Sequence, residues 1–225
     1  MSTGGTRAGA LGVVIAAGAA LSAGPVTACG GAGLAGSGTP ATQVRQVAAF
    51  SRVDLAGSSD VTIHAGAAQS VVVHADDNLL ARVTTKVRAG TLVIATKGSF
   101  TTSSPLTVVV SVPSLQALTV SGSGAITASN IQGARVSVRL SGSGAVRAAG
   151  TVTRLDVSVG GSGDAQLGQL AARDVHAAVS GSGQIVTHAA NTLQASATGS
   201  GTIIYTGNPP HVTTSTTGSG TITRQ

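Results

Sequence analysis

The stretch RVSVRLSGSG, residues 135–144, decides how this chain folds. Val136, Val138 and Leu140 alternate with Ser137, Arg139 and Ser141, the period-2 pattern of a strand with one face in a core and the other in water. The strand then runs into Gly142-Ser143-Gly144, where a bend is expected. The same sentence is written again as RLDVSVGGSG at residues 154–163. Working outward, Gly-Ser-Gly occurs six times, beginning at Gly122, Gly142, Gly161, Gly181, Gly199 and Gly218, in steps of 20, 19, 20, 18 and 19 residues. A unit of this length is too short to fold alone and too long for a turn motif. It matches one coil of a solenoid, whose units bury their apolar faces only by stacking on each other.

Aligned on the motif, the position two before its first glycine holds Val120, Leu140, Val159, Val179, Ala197 and Thr216. Four before it stand Leu118, Val138, Val157, Ala177, Ala195 and Thr214, and the second position after it holds Ile126, Val146, Ala165, Ile185, Ile203 and Ile222. Each coil therefore carries at least two short strands around a Gly-Ser-Gly corner. A second break is expected at Asn130–Gly133, Ala149-Gly150, Gly168, Asn191 and Gly207-Asn208, where positive φ is tolerated. Stacked corners would lie about 4.8 Å apart, leaving little room for a Cβ. The structural corner residues are thus Gly122 and Gly124, Gly142 and Gly144, Gly161 and Gly163, Gly181 and Gly183, Gly199 and Gly201, and Gly218 and Gly220. A flexible linker would not sit at fixed spacing between Val/Leu runs. A phosphate loop would need a helix opening with a Lys-Ser/Thr pair, which is absent.

The expected fold is all-β: a single-domain parallel β-solenoid, wound right-handed, with coils of about 19 residues and an irregular β cap on the N-terminal side. Residues 43–113 form that cap. Val53–Ile63 reads as a degenerate coil with Gly57-Ser58-Ser59 at its corner, and Ser70–His74, Ala81–Val87, Thr91–Thr96 and Leu106–Val112 read as further strands. The uncovered ends of such a stack offer a route to self-association. Aromatics make up 1% of the chain, so its core must be built from small aliphatic residues, unlike the core of a typical globular enzyme.

The N-terminus reads as an export signal over residues 1–28: Arg7 supplies the positive region, and Ala8–Leu21 is a 14-residue apolar stretch, too short to anchor stably as a span. Val26-Thr27-Ala28-Cys29 resembles the lipobox of bacterial lipoproteins, with the chain's one cysteine, Cys29, as the lipidation site and first mature residue. Cleavage by ordinary signal peptidase at the same bond stays open, although it would leave an unpaired thiol in an oxidising compartment. Residues 29–42, rich in Gly, Ala and Ser, read as a tether, and residues 43–225 as the folded domain. The expected location is the bacterial cell membrane, with the exported domain lipid-anchored and facing outward or into the periplasm, and with membrane lipid as one partner through acylated Cys29.

Candidates for chemistry are few. The chain has a net charge of +6, seven Asp and no Glu. Its arginines are scattered without stacking aromatics, which argues against nucleic acid as a partner. Gly31–Gly36 fits G-x-G-x-x-G but lacks a preceding strand. Gly160–Asp164 nearly fits a calcium-binding nonapeptide, with Asp164 one residue early and no nine-residue period. His64, His74, His176, His188 and His211 lack metal-ligand spacing. Asp156, Asp164 and Asp174 could meet on adjacent coils, and glycosidases need such a pair. With so few carboxylates, neither catalytic residues, nor a metal, nor a cofactor are expected.

The runs LTVSGSGAI, FSRVDLAGSSDVTI and GTIIYTGNPPHVTTSTTGSGTITRQ resemble the bacterial head GIN domain family, over about Phe50 to Gln225. The resemblance implies a β-solenoid exported to the envelope, often lipid-anchored, without known catalytic residues, and grouped with auto-transporter adhesins. The expected function is a non-catalytic binding or adhesion module meeting an envelope, glycan or protein surface. A structural or stress-related envelope lipoprotein, with the rod as a spacer, is the alternative.

Overall fold

The computed structural model describes residues 34–102 and 104–225. The export segment and Cys29 lie outside these residues. Almost all strands join one 15-stranded sheet that coils upon itself. Four long strands, Ala125–Gly142, Ala145–Gly161, Asp164–Gly181 and Gln184–Gly199, form successive coils in parallel register. The stack ends in Thr202–Thr206, His211–Gly218 and Thr221–Arg224.

Alternation dictates what lies inside. Val136, Val138 and Leu140 are buried, as are Leu155, Val157 and Val159 one coil further and Val175, Ala177 and Val179 beyond them. Each sits in register on the residue at the same repeat position below it. The core is thus a set of aliphatic columns, and the branched side chains suit a narrow coil in which every residue meets its own kind above and below. In the last coil the inward positions carry Thr214 and Thr216, and both are exposed.

The ladder differs from the expected two short strands per coil. It breaks at Gly-Ser-Gly but runs through the opposite bend, which it turns with bulges between Ala128 and Ile131, Arg147 and Ala149, and Leu167 and Ala171. Bulges absorb one-residue differences without disturbing flanking pairs. Steps of 18, 19 and 20 residues can therefore coexist while Gly142, Gly161, Gly181, Gly199 and Gly218 stay aligned.

The N-terminal part is more regular than a simple cap. Arg52–Ala56 and Asp60–Ala65 form a true coil, flanked on one side by Ala117–Val120 and Ala125–Ser129. On its other side lie Thr91–Thr96 and Thr107–Val112, also parallel. A later segment thus forms the layer beneath an earlier one. Antiparallel strands finish the edge: Val83–Arg88 folds back on Thr91–Thr96, and Ser70–Asp76 on Thr107–Val112. The two-residue turn Ala89-Gly90, with φ of 48° and 72°, is of the kind that matches strand twist in a hairpin. Between these strands Asp77–Arg82 forms a short 3₁₀ helix, where strand had been expected from Ala81. Pro40–Val44 pairs with Ser70–Asp76, and Leu34–Ala35 with Phe100–Thr101. Much of the described part of the segment read as a tether therefore lies in strands.

At the corners the stacked backbones nearly touch. A Cβ on Gly181 would lie 2.5 Å from the carbonyl oxygen of Gly161, and the residue has φ +130°. A Cβ on the core-facing Gly183 would lie 2.5 Å from the Gly163 carbonyl oxygen and 2.6 Å from Val159 Cγ1. Gly181→Ala should therefore destabilise by about 1–3 kcal/mol, through strain and displaced backbone. Ser143, exposed between its two glycines, should accept alanine with almost no change. Val179→Asp, which buries an unpaired charge beside Val157 and Val159, should cost at least as much as the glycine variant. Thermal melts followed by far-ultraviolet circular dichroism read all three, and equal melting temperatures for wild type and Gly181→Ala would contradict the corner packing.

Candidate binding surface

The strand positions that leave the core align into outward columns. Arg52, Ala117, Ser137, Asp156, His176, Gln194 and Thr213 are in register across successive coils. Two residues away runs a column containing Arg135, Arg154, Asp174, Thr192 and His211. On the other side, toward the corner, lie Asp54, Thr119, Arg139 and Ser158. Residues remote in sequence thus become neighbours a strand spacing apart.

Asp156 is the centre of the charge on this face. Its Oδ2 accepts from Arg135 Nε at 2.7 Å, and its Oδ1 lies 3.5 Å from Arg154 Nε. Both arginines are largely solvent-exposed, so the ion pairs contribute little stability and act mainly to orient the guanidinium groups. Arg139 Nη1 donates to Ser137 Oγ at 2.8 Å. These side chains border two open grooves of about 600 and 500 Å³ that share Arg135, Ser137 and Arg139. A third depression, about 340 Å³, continues from His176 to Asp174, Asn191 and Gln194.

Two carboxyls on this face are perturbed. Burial raises the pKa of Asp54, whose Oδ1 is enclosed without a hydrogen-bond donor. Asp174 is lowered, chiefly by the hydrogen bond from Asn191 Nδ2 at 3.0 Å, then by Thr192 and the neighbouring arginines.

The three aspartates considered for catalysis do not form a site. Asp156 is held by arginines before its corner, whereas Asp164 follows the corner and pairs in register with Ala145 and Gln184. Asp174 is one coil away and bonded to Asn191. The histidines are dispersed: His64 meets Ser129, His74 meets Thr42 and His188 meets Thr206. Among the described residues no group of three His, Cys, Asp or Glu is placed to hold a metal ion. The corner glycines lie along one edge of the stack, and the serines between them face solvent.

The arginine groove was not read from the sequence, because the alignment followed inward positions only. The signal lies at the odd offsets. Arg52 is five residues before Gly57, Arg139 three before Gly142, and Arg135 and Arg154 each seven before their motif.

These features define a class: a parallel β-solenoid that presents a grooved, polar, cation-bearing face. A family profile described as "Putative auto-transporter adhesin, head GIN domain" matches residues 49–209. The chain belongs to the head GIN domain family. The solved structures agree in fold. A "putative adhesin" from Bacteroides fragilis superposes with a TM-score of 0.70 at 21% identity, covering 86% of this chain and 100% of the other. A "putative lipid binding protein" from Parabacteroides distasonis gives 0.53 at 23% identity, covering 85% and 99%. A "putative adhesin" from Parabacteroides merdae gives 0.54 at 19% identity, covering 86% and 99%. No curated protein matches the sequence.

Asp54 yields a pH prediction. Its folded pKa lies above its unfolded value, so the folded state binds the proton more tightly and loses stability as pH rises through the folded pKa. Asp54→Asn should raise the melting temperature at pH 7, and the gain should disappear below about pH 4, where the unfolded carboxyl is also protonated. A difference independent of pH would show that the charge of Asp54 is not what matters.

Proposed function

We propose that this protein is an envelope-anchored, non-catalytic adhesive module, held to the outer face of the membrane by lipid on Cys29 and binding through the outward face of its solenoid. The observation that carries this reading is the register itself. In-register coils fix exposed polar side chains in rows about 4.8 Å apart, a rigid lattice suited to a repetitive surface. Membership in a family described as adhesins supports the same role, as does the absence of convergence among Asp156, Asp164 and Asp174. The lipid-binding description of one structural neighbour fits the face less well. An acyl chain needs a continuous apolar groove, whereas the exposed large hydrophobics among the described residues are Leu34, Val44 and Val212, on separate strands.

Cells grown with a fatty-acid analogue should label the wild-type protein, and Cys29→Ala should abolish the label and release the chain from the membrane fraction. Unlabelled wild-type protein in the medium would refute the anchor. For adhesion, cells displaying the wild type should attach to envelope or glycan-coated surfaces better than a deletion strain. Equal attachment with a weakened envelope in the deletion strain would instead identify a structural lipoprotein.

A further inference from the structure

We propose that the groove ringed by Arg52, Arg135 and Arg139 binds the acidic groups of an anionic polysaccharide, carboxylate or phosphate, and that the polymer runs on along the trough toward Asp174. This names the ligand class for the binding-module reading and rests on that reading.

Three observations converge. First, the geometry forms a cage. Arg52 lies two coils from the Ser137 position, about 10 Å away, while Arg135 and Arg139 flank Ser137 on one strand about 13 Å apart. Between them the floor is made of small side chains, Ala117 and Ser137, which leave about 600 Å³ open to solvent. Second, two of the three charges, those of Arg52 and Arg139, are unpaired among the described residues. No acidic residue lines this groove. Asp156 binds Arg135 through Nε, leaving the two terminal nitrogens, and Ser137 holds Arg139 by Nη1. Asp54 lies two residues from Arg52 on the same strand and forms no ion pair with it, nor does it line the groove. Guanidinium groups oriented in this way present paired donors to carboxylate and phosphate oxygens.

Third, the groove is continuous with its neighbours. It shares Arg135, Ser137 and Arg139 with the next depression, which shares His176 with the third. From Arg52 to Gln194 the trough crosses five strand steps, about 24 Å. Beyond the arginines it offers hydroxyl, amide and imidazole groups, which suit a chain of hydroxylated sugars. It also holds the carboxylates of Asp156, paired with Arg135, and Asp174, bonded to Asn191, so the polymer's acidic groups belong at the Arg52 end and its neutral hydroxyls toward Asp174. A single-stranded nucleic acid would need aromatic platforms for its bases, and none of Phe50, Phe100 and Tyr205 lines the trough. A membrane surface is too flat to reach charges that converge over a recessed floor.

The test immobilises polygalacturonate, its methyl ester, a phosphate-bearing glycan and single-stranded DNA, and measures binding of the purified protein. Wild type should bind polygalacturonate or the phosphoglycan, and the comparison of these two identifies the acidic group. Binding to the methyl ester should be weaker by on the order of 10-fold or more. Arg52→Gln, Arg135→Gln and Arg139→Gln should each lose on the order of 10-fold. Lys97→Gln, Arg147→Gln and Arg224→Gln, which remove equal charge elsewhere, should bind within about 3-fold of wild type, as expected for screened remote charges. All six positions are exposed, and unchanged melting curves confirm that the variants fold. Absence of binding to either acidic glycan, equal binding to the methyl ester or DNA, or equal loss in both variant sets would overturn the proposal. Glycan binding without cell adhesion would refute the adhesive role alone, and adhesion untouched by the three groove variants would refute the groove alone.

Discussion

The constraint on which the rest of the structure depends is the distance between stacked corners. In-register parallel coils bring equivalent backbones to strand spacing. At the bend, the carbonyl oxygen of one coil then occupies nearly the space that the next coil's Cβ would need. At Gly142 that imagined atom would be 2.6 Å from the oxygen of Gly122, and the same relation recurs at Gly161, Gly181, Gly199 and Gly218. A coil with side chains at these points would have to rise away from its neighbour or open its bend. Either change would separate the aliphatic columns and break the interstrand hydrogen bonds. Glycine therefore does not loosen this chain. By permitting the closest approach, it lets the remaining residues pack.

That constraint explains why so much of the fold is legible in the sequence. The columns through Val136, Leu155, Val175 and Leu193 follow from counting back from each Gly-Ser-Gly, because the corner sets the register. The opposite bend was harder to read. Its position is marked at the expected breaks by Asn130, Gly150 and Gly207, with φ of 58°, 145° and 94°, but the bulges that adjust it depend on tertiary pairing and leave no trace of their own. The position of the segment around Thr91–Val112 was hidden for a different reason. Local alternation identifies its strands, but stacking beneath Arg52–Ala65 is a non-local choice, since both layers have compatible apolar faces.

The binding surface was the least legible part, and the reason is again register. Arg52 and Arg139 are 87 residues apart in sequence, yet the solenoid places them around one groove. Inward positions repeat because they must pack, whereas outward positions face water and can vary coil by coil. In Arg135–Gly144 both kinds of information lie on a single strand: Val136, Val138 and Leu140 build the column, and Arg135, Ser137 and Arg139 write the surface. A solenoid thus separates stability from recognition along alternate residues, so its outward face can be revised without rebuilding the core.

The central claim, that the coils stack in register with their corners one strand spacing apart, is tested most directly by a distance across the corners. Spin labels at Ser123→Cys and Ser219→Cys, in a Cys29→Ala background, span five corner steps. Pulsed electron resonance should give a narrow distribution centred near 24 Å between the labelled backbones, after allowance for the label arms. Moving one label from residue 219 to 200 should shorten that distance by about 4.8 Å. A broad distribution, or one that does not shorten with the coil number, would mean that the Gly-Ser-Gly segments are flexible connections and would contradict the stacked solenoid.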